Sequence, residues 1–141
     1  MISRYFIDTN ILVYSVDSHD KHKQKMSRMK LIELEKNRNG IISTQIIQEF
    51  YITSVKKLKT NPVIAKQQVE RLSSFEVIEI DVPLIKEAID LSIVNQFNFW
   101  DALVMCCALK SQCDFLLTED LSHGQMIKNV KVENIFRTRD S

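Results

Sequence analysis

Hydrophobic positions fall alternately into short unbroken runs and helical stripes. Tyr5-Phe6-Ile7 is an apolar run that stops at Asp8, and Ile41-Ile42-Ser43 and Phe115-Leu116-Leu117-Thr118 repeat the form. Runs this brief and this uniformly apolar suit strands covered on both faces. Between them the spacing turns helical. A helix begins at Ile11. A second is predicted over residues 21–37, with Met26, Met29, Ile32 and Leu34 apolar, an outer face of Lys21, Lys23, Lys25, Arg28 and Lys30, and a stop at Asn39-Gly40. A third, over residues 45–57, puts Ile46, Ile47, Phe50, Tyr51 and Ser54 on one face. Asn61-Pro62 starts a fourth, running to about Leu72, and Asp81-Val82-Pro83 a fifth, running to about Gln96. The sixth, residues 99–109, is apolar nearly all round and reads as the central buried helix. Residues 75–80 alternate as a strand, 121–125 read as a loop, 130–135 as a weak last strand and 137–141 as a polar tail. This alternation predicts an α/β fold of three layers, α/β/α, around a mainly parallel central sheet.

Composition narrows the picture. A chain of 141 residues reads as one domain. Lys and Arg number 19 against 18 Asp and Glu, so no general basic field marks a nucleic-acid binder, and such contacts must come from local patches. Gly40 and Gly124 are the only glycines, which excludes a P-loop and a dinucleotide fingerprint. Cys106, Cys107 and Cys113 lack metal-site spacing and read as reduced core thiols, which places the protein in the cytoplasm. No apolar run is long enough to span a membrane and no signal peptide is apparent. His19 and His22 beside Asp17 and Asp20 read as a solvated loop and helix start, since nothing downstream completes a zinc set.

The acids change the picture more. In open α/β sheets ligands bind outside the carboxyl ends of the strands, where Asp8 and Asp120 fall. Asp101 is the only charge in the first turn of the apolar sixth helix, and Glu49 sits at the edge of the inner face of the third. Each has a structural alternative. Asp8 or Thr9 can cap the following helix, Asp101 can be the N3 acid of a cap built on Asn98, Asp120 can close an Asx turn, and Glu49 can be a solvated helix glutamate. Together they form a carboxylate cluster without basic partners. Such groups raise one another's pKa unless a cation joins them, and oxygen ligands suit Mg²⁺ or Mn²⁺. Hydrolysis at phosphorus is the chemistry such a cluster serves.

Asp8-Thr9-Asn10 after an apolar strand, Glu49 in a second segment, Asp101-Ala102 opening an apolar helix, and Thr118-Glu119-Asp120 after a strand resemble the PIN domain over nearly the whole chain. Leu117 to Leu121 followed by His123-Gly124-Gln125 is similar to small single-domain members, many of them VapC-like toxins of toxin–antitoxin pairs. The resemblance implies a Mg²⁺- or Mn²⁺-dependent ribonuclease with Asp8, Glu49, Asp101 and Asp120 as metal-binding, catalytic acids and Asn10 and Thr118 as supporting polar residues. It also implies a homodimer and an antitoxin partner that covers the site. Two departures stand out: Ser122 occupies a position where many relatives have a further acid, which bears on a second metal, and Asn134-Ile135-Phe136 replaces an Asn-Pro-Phe ending.

The expectation is therefore a cytoplasmic endoribonuclease acting on single-stranded or looped RNA, because the family's sites are open clefts and an A-form duplex hides its base edges. Lys21, Lys25, Arg28, Lys56, Lys57 and Lys59 are candidate phosphate contacts. One alternative is a non-catalytic RNA-binding or scaffold PIN domain. Another is a phospho-acceptor signalling domain, which needs a lysine at a late strand end where this chain has Glu119.

Overall fold

A computed structural model describes residues 2–137. Its strands are β1 (Tyr5–Ile7), β2 (Gly40–Ser43), β3 (Glu76–Ile78), β4 (Phe115–Leu117), β5 (Met126–Ile127) and β6 (Val130–Glu133), and its helices are α1 (Thr9–Val16), α2 (Lys21–Asn37), α3 (Thr44–Lys56), α4 (Pro62–Arg71), α5 (Val82–Asn95) and α6 (Phe99–Lys110). They form one sheet in the order β3-β2-β1-β4-β6-β5, parallel throughout except for β5 against β6. Helices cover it on both sides, giving the expected three layers. α1 packs on α2 and α3, and α3 on α4, while α5 packs on α6 and α6 on β1 and β4.

The order of strands fixes where a site can lie. From β1 the chain moves outward to β2 and β3, then returns to pair β4 on the other side of β1, with Phe6 against Leu116 and Ile7 against Leu117. The direction of winding reverses between β1 and β4, and a crevice opens there at the carboxyl ends of the strands. The middle of the sheet is dry: Phe6, Ile7, Ile42, Leu116 and Leu117 have no exposed surface. Each of these six α-helices begins at a residue whose side-chain oxygen accepts from a first-turn N–H: Asp8, Asp20, Ser43, Asn61, Asp81 and Asn98. Each satisfies one of the amides a helix start leaves unpaired.

Three sequence expectations need correction. α2 is stopped by Arg38, which takes the left-handed conformation at φ 54°, while Gly40 lies inside β2. Residues 75–80 supply only the short edge strand β3, and the stretch after the 121–125 loop adds β5, a two-residue strand too brief to leave a periodic signal. The first turn of α6 is not buried: residues 102–108 fill the core, but Trp100 is 60% exposed. Of the expected polar tail, residues 138–141 lie outside the described residues. Among the described residues no helix is long and apolar enough to cross a membrane.

Gly40 shows how tightly β2 is packed. A Cβ there would stand 2.8 Å from Cδ1 of the buried Phe75 ring and 3.2 Å from Cδ1 of Ile7. Neither neighbour can move without disturbing the core. Gly40→Ala is expected to destabilise the fold by about 1–3 kcal/mol in urea unfolding, the usual cost of overpacking.

Candidate active site

Asp8 is the deepest charge of the crevice. One carboxylate oxygen accepts the Thr9 N–H at 2.8 Å and caps α1; the other accepts the hydroxyl of buried Thr118 at 2.8 Å. Capping and facing the crevice are thus both true of Asp8. The Thr118 oxygen in turn accepts from Asn10 Nδ2 at 3.2 Å and from the Asp120 N–H at 3.1 Å, which sets the turn after β4. Asn10 Nδ2 also donates to Asp120 at 3.1 Å and, more weakly, to Asp8 at 3.5 Å. One amide and one hydroxyl therefore tie two carboxylates that are 112 positions apart in sequence. The Asn10 side-chain oxygen is buried and accepts no hydrogen bond.

Glu49 reaches the same crevice from α3. It accepts the Thr9 hydroxyl at 2.7 Å and the Gln45 amide at 3.4 Å. Asp101 enters from α6, where Asn98 accepts its N–H at 2.9 Å and donates Nδ2 to its carboxylate at 2.8 Å, so the cap read from the sequence is formed as well. All four acids line one cleft of about 600 Å³, together with Val13, Ile52, Trp100 and Val104. Ion pairs among the described residues, such as Lys23–Glu119, leave these four out.

The electrostatics follow. Burial pushes the Asp8 carboxyl up to about 6, the charges of Asp120 and Glu49 add to the rise, and the bonds from Thr118 and Thr9 oppose it. Asp101 is raised by burial and by the Asp120 charge, against its bond with Asn98. These groups repel as expected of acids without a counter-ion. Their oxygens suit a hard divalent cation, and the unpartnered Asn10 oxygen adds a neutral one. As they stand the carboxylates do not close on an ion: among the described residues no three Asp, Glu, His or Cys side chains are grouped to hold one. Glu49 accepts instead from Thr9 and Gln45, and one Asp101 oxygen from Asn98.

The predicted basic contacts divide. Lys57 lines the cleft, whereas Lys21, Lys25, Lys56 and Lys59 are exposed away from its walls, and Arg28 donates to the Ser15 carbonyl at 2.7 Å. Lys23, read with the outer face of α2, turns inward instead. It pairs with Glu119 at 2.8 Å and lies over the rings of Tyr14 and Phe136, and the Tyr14 hydroxyl donates to Glu119. Glu119 lines the same cleft as the four acids, but its charge is met by Lys23. His19 pairs with Asp17 and Asp20 caps α2, as a loop and helix start require. The cysteines are buried, and burial holds Cys107 up at about 12 and Cys113 at about 11. Sequence reasoning missed Thr9 as a Glu49 partner, Gln45, and Trp100 on the cleft wall. A tryptophan directly before a candidate acid was the one signal available.

An α/β/α sheet with an acid-lined crevice at its switch point is a nuclease-like architecture. The PIN domain family model matches residues 5–128, and the chain belongs to that family. Its structure is similar to FitAcB from Neisseria gonorrhoeae (TM-score 0.68, 14% identity, 95% of this chain and 99% of that one) and to VapBC2 from Rickettsia felis bound to a promoter DNA fragment (0.65, 22%, 92% and 97%). It is also similar to VapC20 of Mycobacterium tuberculosis, a sarcin-ricin loop cleaving toxin (0.64, 12%, 79% and 86%). The sequence matches no curated protein.

The raised Asp8 pKa gives a stability test. The folded protein holds this proton more tightly than the unfolded chain, so ionising Asp8 costs stability as pH rises from about 4 to about 6. In EDTA, Asp8→Asn is expected to match wild type below that window and to exceed it above by about 2–3 kcal/mol in urea unfolding. A difference independent of pH would show that burial of the charge is not the cause.

Proposed function

We propose that this PIN-domain chain is a Mg²⁺- or Mn²⁺-dependent endoribonuclease and the toxin of a toxin–antitoxin pair. The observation that carries the reading is the delivery of four carboxylates, from the end of β1, α3, α6 and the turn after β4, to one cleft, with none of the four in an ion pair among the described residues. Such a cation, when bound, activates water and neutralises charge building on the phosphate. The chain's own residues prepare that place. Asp8, Glu49, Asp101 and Asp120 supply anionic oxygens; Thr118 and Asn10 orient Asp8 and Asp120; Thr9 and Gln45 hold Glu49 on the α3 side. Lys57, at the cleft, is the phosphate contact among the basic candidates. The toxin–antitoxin assemblies among the structural neighbours support an antitoxin partner; that it covers this cleft, and that the chain is a homodimer, are parts of the same proposal.

Purified protein is expected to cleave single-stranded or looped RNA with Mg²⁺ or Mn²⁺, to stop in EDTA, and to lose at least about 100-fold in rate in Asp8→Asn, because an amide cannot replace the anionic oxygen. Equal cleavage in EDTA would rule the mechanism out. Asp101→Asn separates the cap from the cluster. A cap acid alone would cost about 0.3–1 kcal/mol on substitution, with or without metal. The expected result is unchanged or higher stability in EDTA, since burial and Asp120 already oppose the charge, with a smaller rise in melting temperature on adding Mg²⁺.

A further inference from the structure

Trp100 is the chain's single tryptophan, and it is 60% exposed. Of the large apolar side chains left exposed among the described residues, it and Ile52 are the two that line the acid cleft. The indole has a fixed setting. It meets the ring of Phe99 edge-on, with centroids 5.0 Å apart and planes at 74°, and Phe99 packs against the core. Its backbone carbonyl accepts from Gln45 at 3.5 Å, the residue that also holds Glu49. The next residue in the chain is Asp101.

The cleft is therefore mixed in chemistry: Asp8, Glu49, Asp101 and Asp120 supply hard oxygens, and Trp100, Ile52, Val13 and Val104 supply apolar surface beside them. A nucleotide has the same two halves, an anionic phosphate and a flat base. We propose that Trp100 is the stacking platform for an unpaired nucleobase next to the phosphate that the four acids address; the proposal rests on the ribonuclease reading above and makes that enzyme selective for unpaired substrate. A base stacked inside a duplex has both faces covered, so only a single strand or an opened loop can offer one to the indole. Stacking accepts every base, so the platform selects for strandedness more than for sequence.

The single tryptophan supplies its own probe. Asp8→Asn protein, to prevent turnover, is titrated with a short mixed-sequence single-stranded RNA in Mg²⁺, and tryptophan emission is followed. The single strand is expected to quench it saturably and the same sequence as a duplex is not. By anisotropy of end-labelled RNA, adding Trp100→Ala is expected to weaken binding roughly 5- to 150-fold, what one base–aromatic stack is worth, and Trp100→Phe to recover most of it. In the otherwise wild-type enzyme Trp100→Ala should raise KM. Thermal melts check that the variants fold, and if the Ala variant does not, the quenching and the Phe variant still decide. Cleavage that persists while emission is unmoved and Trp100→Ala binds normally overturns the platform and leaves the ribonuclease reading standing. RNA neither bound nor cleaved by wild type overturns both. A change in the mass of the free protein in Trp100→Ala, with RNA binding intact, assigns the indole to a protein contact and also overturns the platform.

Discussion

The burial of Asp8 is the constraint on which the rest depends. An ionised carboxylate this deep is tolerated only if its oxygens are satisfied, and its two strong donors come from opposite ends of the sequence, the Thr9 amide and the Thr118 hydroxyl. That requires β4 to lie beside β1 in register, which requires α5 and α6 to bring the chain back across the sheet. Packing of α6, apolar through residues 102–108, makes that return possible. The dry core and the charged crevice are thus one solution: hydrophobic burial holds in place a group that works against the fold.

Capping a helix and facing the crevice, posed as alternatives by the sequence, are compatible uses of the same side chains. Asp8 starts α1 with one oxygen and faces the crevice with the other, and Asp101 sits in a reciprocal cap with Asn98 while lining the cleft. Helix starts are positive ends, and four acids placed near one another gain from sitting at two of them. Thr9 to Glu49 and Asn98 to Asp101 are the hydrogen bonds that orient the two acids delivered by helices.

Much of the fold was legible because it rests on local periodicity. Three apolar runs became β1, β2 and β4, and all six helices began near their capping residues. Asp8, Asp101 and Asp120 were legible as cleft residues because strand ends and helix first turns are places where charge needs a reason, and Glu49 because it borders an apolar helix face. What could not be read were pairings made by tertiary packing. Nothing in the sequence says that Lys23 leaves the basic face of α2 for Glu119, 96 positions away, or that Thr9 meets Glu49. Arg38 ended α2 with a glycine waiting two residues later, because Gly40 was needed where Phe75 leaves no room for a Cβ. Trp100 was lost in the apolar composition of its helix, since a hydrophobic count cannot tell a wall of the core from a wall of a cleft.

The separation of 110 positions between Asp8 and Thr118 carries a consequence for synthesis. The strand that begins the sheet is made first, yet its central neighbour β4 is among the last elements to emerge. Long-range parallel pairing is slow, and a chain still growing cannot make it. Until β4 docks, Asp8 lacks its hydroxyl donor and Asp120 has no turn to hold it, so the crevice does not exist on a partial chain. Whatever chemistry the crevice carries therefore appears only after the segment through Asp120 has been made and β4 has docked.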